Sequence, residues 1–379
     1  MPEHADDGRA ARRRLRSPSL RSPRRRALRV TAWVVATFLL LTTTAVGCLY
    51  LKLNGNIRGI DINALLGRDR PADVDNGSMD ILVLGSDSRS GSNQKAGGGQ
   101  DDGTARSDTA MIVHVYEGHD RASVVSIPRD TLVDRPACAE PGGGTAPARQ
   151  GEMFNQAYAI GGPACAVKTA ESMTGIRMDH YIEIDFAGFQ HLIDALGGVT
   201  VTTSQAISDN RSHLHLPAGT HHLDGKQALG LVRTRHGVGD GSDLGRIKLQ
   251  QAFLKALVDR VNGIGLLSSP TRLYTIADTA TGAITTDSEL ASVKKLVGLG
   301  ESLKGLGSKD IGMVTMPVRY DPYDPNRVLP ITDQAEQVWA ALRADEPIPE
   351  SATKGSAGDD VDTNGVVRSS SQPTAGGSE

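Results

Sequence analysis

Acidic and basic side chains recur together at the ends of apolar segments, and such pairs suit the binding of phosphate groups and a metal ion. The run from Ile81 to Leu84 is apolar at every position, which predicts a strand buried on both faces of a sheet. Asp87 and Arg89 follow this run after Gly85. Ligands bind beyond the carboxyl ends of strands in such sheets, so both side chains are candidates for an active site. Taken alone, they could equally be a turn residue and a solvated arginine.

Three further segments bring an arginine to the boundary of a predicted strand. The strands are Met111 to Tyr116, Ser123 to Ile127 and Leu229 to Val232. The charged residues beside them are Arg106, Asp108, Arg129, Asp130, Arg233 and Arg235. Arg246 and Gln250, four residues apart, share one face of an amphipathic helix for which Asp243 is the predicted N-cap. The repetition favours a common site over isolated turn residues.

The boundary arginines lie in a region that is net acidic, so they do not form a general basic surface. The planar guanidinium matches phosphate oxygens, and several of them converging on one cleft suit a diphosphate. The predicted diphosphate-binding residues are Arg89, Arg106, Arg129, Arg233, Arg235, Arg246 and Gln250.

The aspartates need a separate explanation, because carboxylates repel a diphosphate. A Mg²⁺ ion held by one or two carboxylates and by phosphate oxygens removes this conflict, and Mn²⁺ is a possible substitute. Asp87 and Asp108 are the predicted metal ligands. In the competing interpretation, Arg106 with Asp108 and Arg129 with Asp130 form surface ion pairs of little energetic value.

Six ordered motifs connect the sequence to a known family. They are LGSDSR, ARSDTAMIVHV, VSIPRD, DHYIEIDFAGFQHLIDALGG, LDGKQALGLVRTRH and DLGRIKLQQAFL. Over roughly Asp80 to Leu257 the sequence resembles the LytR-CpsA-Psr family of cell-wall glycopolymer transferases. The resemblance implies that a glycopolymer moves from a polyprenyl diphosphate donor onto a peptidoglycan acceptor as a phosphodiester. In this family the positions of Asp87 and Asp108 bind the metal ion.

The resemblance also implies a catalytic set, namely Asp87, Arg106, Arg129 and Asp130. Mg²⁺ and the arginines bind the diphosphate and neutralise the charge that grows on the leaving lipid phosphate. An aspartate accepts the proton of the attacking sugar hydroxyl, and both Asp87 and Asp130 are open for that role. Two other functions stay open: a diphosphatase that hydrolyses the same donor, and a non-catalytic regulator that binds polyprenyl phosphates. The sequence contains no Walker A loop, GxGxxG motif or nucleophile elbow.

The elements around these residues predict an α/β fold. Tyr181 to Asp185 alternates as a strand, Phe186 to Leu196 has helical apolar spacing, and Val199 to Thr202 is a strand again. This is a βαβ-like unit. With the other strands, it predicts a mixed central sheet with helices on both faces, an α-β-α sandwich preceded by one transmembrane helix.

The charge distribution predicts a membrane anchor. Residues 1–29 hold ten arginines and three acidic residues, a balance of +7, and the remaining 31 basic and 41 acidic residues lie in 52–379, a balance of -10. Val30 to Leu51 has no charged residue, and at about 1.5 Å per residue it spans the roughly 30 Å of a bilayer core. The positive-inside rule places residues 1–29 in the cytoplasm and the rest outside the cell membrane.

A signal peptide is the alternative, but the apolar run is long and no clear cleavage site follows. The arginines suit membrane lipid rather than nucleic acid, because no aromatic residue accompanies them.

These observations divide the chain into five parts. They are a cytoplasmic tail (1–29), a transmembrane helix (30–51), a linker (52–78), a catalytic domain (79–345) and a polar tail (346–379) that is predicted to be disordered.

Cys48 lies in the membrane segment, so Cys138 and Cys165 are left as a pair in an oxidising compartment. A disulfide is the prediction and two unpaired thiols are the alternative.

Overall fold

The computed structural model describes residues 23–86, 107–235, 242–265, 269–360 and 367–369. Contacts divide the chain into two units, residues 1–51 and 52–379. Helix α1 (Pro23–Asn56) supplies the described part of the first unit, and its segment Ala27–Asn56 is long and apolar enough to cross a membrane. Its apolar side chains are exposed, among them Trp33 and Phe38. From Pro23 onward the first unit is therefore one apolar helix that suits a membrane anchor, as predicted for residues 30–51.

The second unit contains the remaining helices and all the described strands. After α1 the helices are α2 (Ile62–Leu66), α3 (Phe154–Thr174), α4 (Phe186–Ala195), α5 (Gly225–Arg233), α6 (Asp243–Gly263), α7 (Pro270–Ala283), α8 (Val293–Ser302), α9 (Thr332–Arg343) and α10 (Ala357–Asp360). The strands are β1 (Arg58–Ile60), β2 (Met79–Ser86), β3 (Ser107–Val115), β4 (Ala122–Ile127), β5 (Leu132–Arg135), β6 (Cys138–Ala139), β7 (Thr145–Ala146), β8 (Arg149–Met153), β9 (His180–Asp185), β10 (Val199–Thr203), β11 (Ile207–Asp209), β12 (Leu214–Leu216), β13 (Gly219–Leu223), β14 (Ile284–Asp287), β15 (Ile311–Thr315), β16 (Val318–Tyr320), β17 (Val328–Pro330) and β18 (Val367–Ser369).

A seven-stranded mixed sheet forms the centre, in the order β1-β14-β9-β2-β3-β4-β15. Strand β2 is parallel to β9 and antiparallel to β3, and β4 is antiparallel to β3 and parallel to β15. The carboxyl ends of β2, β4, β9 and β15 therefore meet the amino end of β3 at one edge of the sheet. We call this edge the active edge, because the predicted site residues of these strands lie along it.

Helices cover both faces of the sheet. Val125 of β4 belongs to the main buried cluster together with Phe154 and Ala166 of α3. The next residue, Ser126, points to the opposite face, and Gln251 of α6 donates a hydrogen bond of 3.1 Å to its hydroxyl. The mixed α/β sandwich predicted from the sequence is confirmed.

Two local predictions are wrong. Strand β10 does not return to the central sheet, because it pairs antiparallel with β13 and β18 in a separate three-stranded sheet. Gly197 and Gly198, at φ of 76° and 83°, turn the chain away after α4. Leu229 to Val232 is not a strand but lies in α5, whose start is fixed by a capping box between Asp224 and Gln227.

The folded region extends beyond the predicted domain on both sides. Strand β1 pairs with β14, and Ile62 and Leu66 of α2 are buried in the main cluster, so part of the proposed linker 52–78 belongs to the core. In the proposed disordered tail, Ala352 and Ser356 are fully buried. The polar composition of this tail concealed a few small residues that fit tightly against the domain.

Cys138 and Cys165 are joined by a disulfide with their Cα atoms 5.4 Å apart. The bridge joins β6 to α3, which is kinked at Gly161 and Gly162. A Cβ at Gly161 would lie 2.7 Å from both Ala139 O and Cys165 Cβ. Glycine is therefore required where the helix passes the bridge.

Candidate active site

The active edge brings together seven of the predicted site residues. Asp108 lies on β3, Arg129 and Asp130 follow β4, and Gln250 lies on α6. Arg233, Arg235 and Arg246 approach from α5, the segment after it, and α6. Asp87, Arg89 and Arg106 lie outside the described residues, so their predicted roles stay predictions.

Arg129 and Asp243 organise a compact ionic cluster. Arg129 donates a hydrogen bond to Asp108, and its Nε lies 3.4 Å from carboxylate oxygens of both Asp130 and Asp243. The Oδ1 of Asp243 is 2.7 Å from Nη2 of Arg246 and 3.2 Å from Nη2 of Arg235. Within the described residues, this cluster therefore combines three guanidiniums with three carboxylates and is close to neutral.

Asp243 does not have the capping role predicted for it. Ser242 is the N-cap of α6, and its hydroxyl accepts a hydrogen bond from the backbone N–H of Gly245. The carboxylate of Asp243 is thereby left for the guanidiniums. Serine competes well for an N-cap position, and adjacent Ser and Asp cannot be ranked from sequence alone.

Arg246 and Gln250 position the strand that carries Asp108. The side chain of Arg246 is 4% exposed, and Nη2 also donates a hydrogen bond of 3.0 Å to the carbonyl of Asp108. Gln250 donates to Thr109 Oγ1 and to the carbonyl of Val232, both at 3.0 Å. Both side chains line the cleft, but these contacts mainly hold β3 and the end of α5 against α6.

The charges of the cluster hold Asp108 in its ionised form. Burial by itself would raise the pKa of Asp108, but Arg246, Arg129 and the hydrogen bond from Arg129 outweigh it and lower the pKa below its usual value. Burial also opposes the charge of Arg129, yet Asp108, Asp243 and Asp130 raise its pKa. The carboxylate and the guanidinium thus stay charged together over the physiological pH range.

A cleft of about 200 Å³ opens beside this cluster. Its charged lining consists of Asp108, Asp209, Arg211, Arg233, Arg235 and Arg246. The guanidinium of Arg233 lies over the ring of Phe186, 4.7 Å from its centroid. Phe186, predicted as the start of a helix, thus also positions an arginine at the cleft.

Two residues of the cleft, Asp209 and Arg211, were not predicted from the sequence. Asp209 is 3% exposed, and its carboxylate accepts hydrogen bonds from the backbone N–H groups of Arg211 at 2.9 Å and Arg235 at 3.0 Å. It therefore joins the turn between β11 and β12 to the segment that carries Arg235. Both residues lie outside the six motifs, and an isolated Asp in a polar turn gives no signal of such a role.

The described protein side chains at the cleft could bind a metal ion only together with ligands from elsewhere, such as phosphate oxygens. Among the residues that the structure describes, no group of three or more His, Cys, Asp or Glu side chains is placed to hold an ion. Asp108 is an ionised hard oxygen donor at the cleft, which suits Mg²⁺ bound by one or two carboxylates and by phosphate oxygens. The cleft therefore fits an ion that arrives with a phosphate ligand.

A mixed α/β sandwich with an arginine-lined cleft at the carboxyl ends of its strands has the geometry and charge that suit a phosphorylated ligand. Residues 49–344 match the LytR_cpsA_psr family. The chain therefore belongs to the LytR-CpsA-Psr family, as its six motifs predicted.

Two relatives from one organism are named as cell wall biosynthesis proteins. The cell wall biosynthesis protein LcpA of Corynebacterium glutamicum is 30% identical over 361 residues, which cover 86% of this chain and 68% of LcpA. The probable cell wall biosynthesis protein LcpB of the same organism is 34% identical over 269 residues, which cover 69% of this chain and 60% of LcpB. The chain thus spans less than two thirds of the length of LcpB.

The third relative is a transferase. It is the polyisoprenyl-teichoic acid–peptidoglycan teichoic acid transferase TagT of Bacillus subtilis, 32% identical over 257 residues, which cover 64% of this chain and 74% of TagT. A solved structure of TagT bound to LI-WTA has a TM-score of 0.53 and 26% identity, and covers 73% of this chain and 94% of that one. By its name, this relative transfers teichoic acid to peptidoglycan.

Proposed function

We propose that this protein is a membrane-anchored, Mg²⁺-dependent phosphotransferase that acts outside the cell membrane. It moves a glycopolymer from a polyprenyl-diphosphate donor onto peptidoglycan and leaves a phosphodiester link. The observation that carries this proposal is the cleft of about 200 Å³ lined by Arg211, Arg233, Arg235 and Arg246. A cleft of this size suits a diphosphate group rather than a polymer, so the glycan and the lipid extend out of it.

The charge balance of the site supports a requirement for Mg²⁺. The cluster around Asp243 is close to neutral, so an incoming diphosphate adds negative charge that the described residues do not fully offset. Asp108, with Asp87 as its predicted partner, would hold the ion together with phosphate oxygens. When bound, the ion neutralises charge on the phosphate groups.

The chain's own residues supply binding and proton transfer. Arg233 and Arg235 present guanidiniums to the cleft, where a fork geometry favours phosphate oxygens over other ligands. The side chain of Asp130 is 20% exposed beside Arg129, so an acceptor hydroxyl can reach its carboxylate. Asp130 is thus the described candidate for the base that accepts the proton of that hydroxyl, and Asp87 is the other candidate.

An anchor places this site beside a donor that is confined to the membrane. Helix α1 is the candidate anchor, and the ten arginines before Val30 favour a cytoplasmic N-terminus. The exported side has no nucleotide supply, so the diphosphate bond of the donor supplies the free energy of the transfer.

The test is incubation of the purified full chain in detergent with a lipid-linked donor, a peptidoglycan oligomer and Mg²⁺, followed by mass analysis. Transfer gives the oligomer joined to the polymer through one phosphate. Polymer released without such a link would establish the diphosphatase instead, and binding of the donor without any turnover would establish the regulator.

Two variants separate metal binding from phosphate binding in this assay. Asp108→Ala should lose activity and recover part of it at raised Mg²⁺, because the remaining ligands still hold the ion weakly. Arg233→Lys keeps the charge but loses the fork, so donor use should fall by about 1 to 3 kcal/mol with no rescue by Mg²⁺. Arg149→Lys is the matched control, since Arg149 is 73% exposed and lies on β8 away from the cleft.

A further inference from the structure

A short antiparallel hairpin follows the last strand of the central sheet and carries two surface tyrosines. We call residues 318–330, which include β16 and β17, the tyrosine hairpin. Val318 of β16 and Val328 of β17 are buried in the main cluster, so the two strands form the base of the hairpin, whereas Tyr323 in the loop is 95% exposed and Tyr320 is 42% exposed. The base is thus fixed to the core while the aromatic rings face outward.

The hairpin is continuous with the active site. Val328 forms a parallel bridge with Thr131, and its N–H donates a hydrogen bond of 3.3 Å to the carbonyl of Asp130. The bridge and this hydrogen bond place Val328 beside the backbone of Asp130 and Thr131. Tyr323 is five residues before Val328, so it lies within about 17 Å of it. The hairpin is therefore joined through its backbone to the segment that carries the candidate base Asp130.

The tip is held rigidly by its own polar side chains. Asp321 accepts a hydrogen bond from the N–H of Tyr323, and Asp324 accepts one from the N–H of Asn326, both at 2.9 Å. The backbone of Asp321 also donates to the carbonyl of Arg327 at 3.0 Å. The loop contains two prolines, which limit its backbone freedom further. Binding of a ligand to Tyr323 therefore has only a small entropic cost for ordering the loop.

The chemistry of the tip suits an uncharged carbohydrate. The hairpin carries two arginines and two aspartates, Arg319 on β16 and Asp321, Asp324 and Arg327 in the loop, so its formal charge is zero and it offers no attraction to an anionic polymer or lipid surface. A tyrosine ring has a negative face that attracts the C–H groups of a sugar ring. The carboxylates and the amide of Asn326 can bond hydroxyl groups around that ring.

We propose that the tyrosine hairpin is the acceptor-glycan platform of this protein, on which the sugar backbone of peptidoglycan stacks so that one hydroxyl reaches Asp130. This inference rests on the proposed transferase function for the identity of the reaction, but glycan binding can be measured without it. The platform also separates the two substrates, since the donor diphosphate enters the arginine cleft and the acceptor approaches across the hairpin.

The test is calorimetric binding of a β-1,4-linked N-acetylglucosamine tetramer to the full chain in detergent, with no donor and no metal. Tyr323→Ala should weaken binding by about three- to tenfold, the effect of losing one aromatic stacking contact. Tyr323→Trp should keep or improve it. In the transfer assay, Tyr323→Ala should raise the KM for the peptidoglycan oligomer and leave the KM for the donor unchanged.

Val297→Ala is the control for loss of an exposed apolar side chain, because Val297 is 53% exposed on α8. No measurable tetramer binding by the wild type, or equal affinity of wild type and Tyr323→Ala, would overturn the platform. Tetramer binding that depends on Tyr323 without any transfer to peptidoglycan would support the platform and reject the transferase. Normal transfer by Tyr323→Ala with an unchanged KM for the acceptor would support the transferase and reject the platform.

Discussion

The charge hub Asp243 makes a prediction in which stability and ligand affinity change in opposite directions. Asp243→Asn removes the negative charge that three guanidiniums share, and the side chain of Arg246, which is 4% exposed, loses its carboxylate partner. Breaking a buried ion pair costs about 3 to 5 kcal/mol. Asparagine keeps one acceptor oxygen and the cluster is partly open at Arg235, so we expect a loss of about 2 kcal/mol.

The same substitution should improve the binding of an anion. It leaves the cluster with one net positive charge, and a unit charge about 6 Å from a phosphate contributes roughly 3 kcal/mol at an effective dielectric constant of 20. Solvent at the open cleft reduces this value, so we expect about a tenfold gain in affinity for inorganic diphosphate.

Urea unfolding and calorimetry of the full chain in detergent measure the two effects. Asp120→Asn is the matched control, because Asp120 forms an exposed pair with Arg121 and should change stability by less than about 0.5 kcal/mol. If Asp243→Asn unfolds like the wild type and binds diphosphate no better, then Asp243 does not set the charge of the site and our electrostatic reasoning fails.

Three more predictions follow from other parts of the molecule. Intact mass under non-reducing conditions should be two hydrogens below that of the reduced chain, and the double substitution Cys138→Ser with Cys165→Ser should lower the free energy of unfolding by about 3.5 kcal/mol, for a loop of 27 residues. Without reduction only Cys48 should react with maleimide, and three reactive thiols would contradict the bridge. His114 is buried between Asp80 at 2.9 Å and Asp345 at 3.0 Å, and the hydrogen bonds to these carboxylates outweigh the effect of burial and raise its pKa above the usual value. Its contribution to stability is therefore complete below about pH 6.5 and is lost as the pH rises through the raised pKa of the folded state. Urea unfolding at pH 6 and pH 9 should thus show a difference in unfolding free energy between wild type and His114→Asn that depends on pH. A reporter fused after Glu379 should be active only outside the cytoplasm, and a cytoplasmic signal would refute the proposed orientation.

The sequence predicted the elements whose signal is local. The all-apolar run at Ile81 to Leu84 gave a central strand, and the alternation at Tyr181 to Asp185 gave its parallel neighbour. The sequence did not predict that β10 leaves the central sheet, because strand pairing depends on partners far away in the chain. Nor did it distinguish the short helix α5 from a buried strand, since apolar runs of four residues fit both.

The site was predictable to the extent that its residues lie in motifs. Asp108, Arg129 and Asp130 were predicted from their positions at the ends of strands, and Arg129 contacts both aspartates in the structure. The roles of Asp209 and Asp243 depend on which backbone N–H groups and guanidiniums surround them after folding. The sequence assigned Arg129, Arg235 and Arg246 to the diphosphate, and in the structure each of them also has a carboxylate partner.

Strand β18 has a consequence for the solubility of the protein. It lies at the border of the three-stranded sheet and hydrogen-bonds along Val201 to Thr203 of β10, while Val367 fills the neighbouring buried cluster. A chain truncated at residue 360 would leave that side of β10 unpaired, and an open strand edge can recruit the same strand of another molecule. Shortening the polar C-terminal segment to obtain a more compact protein would thus favour aggregation.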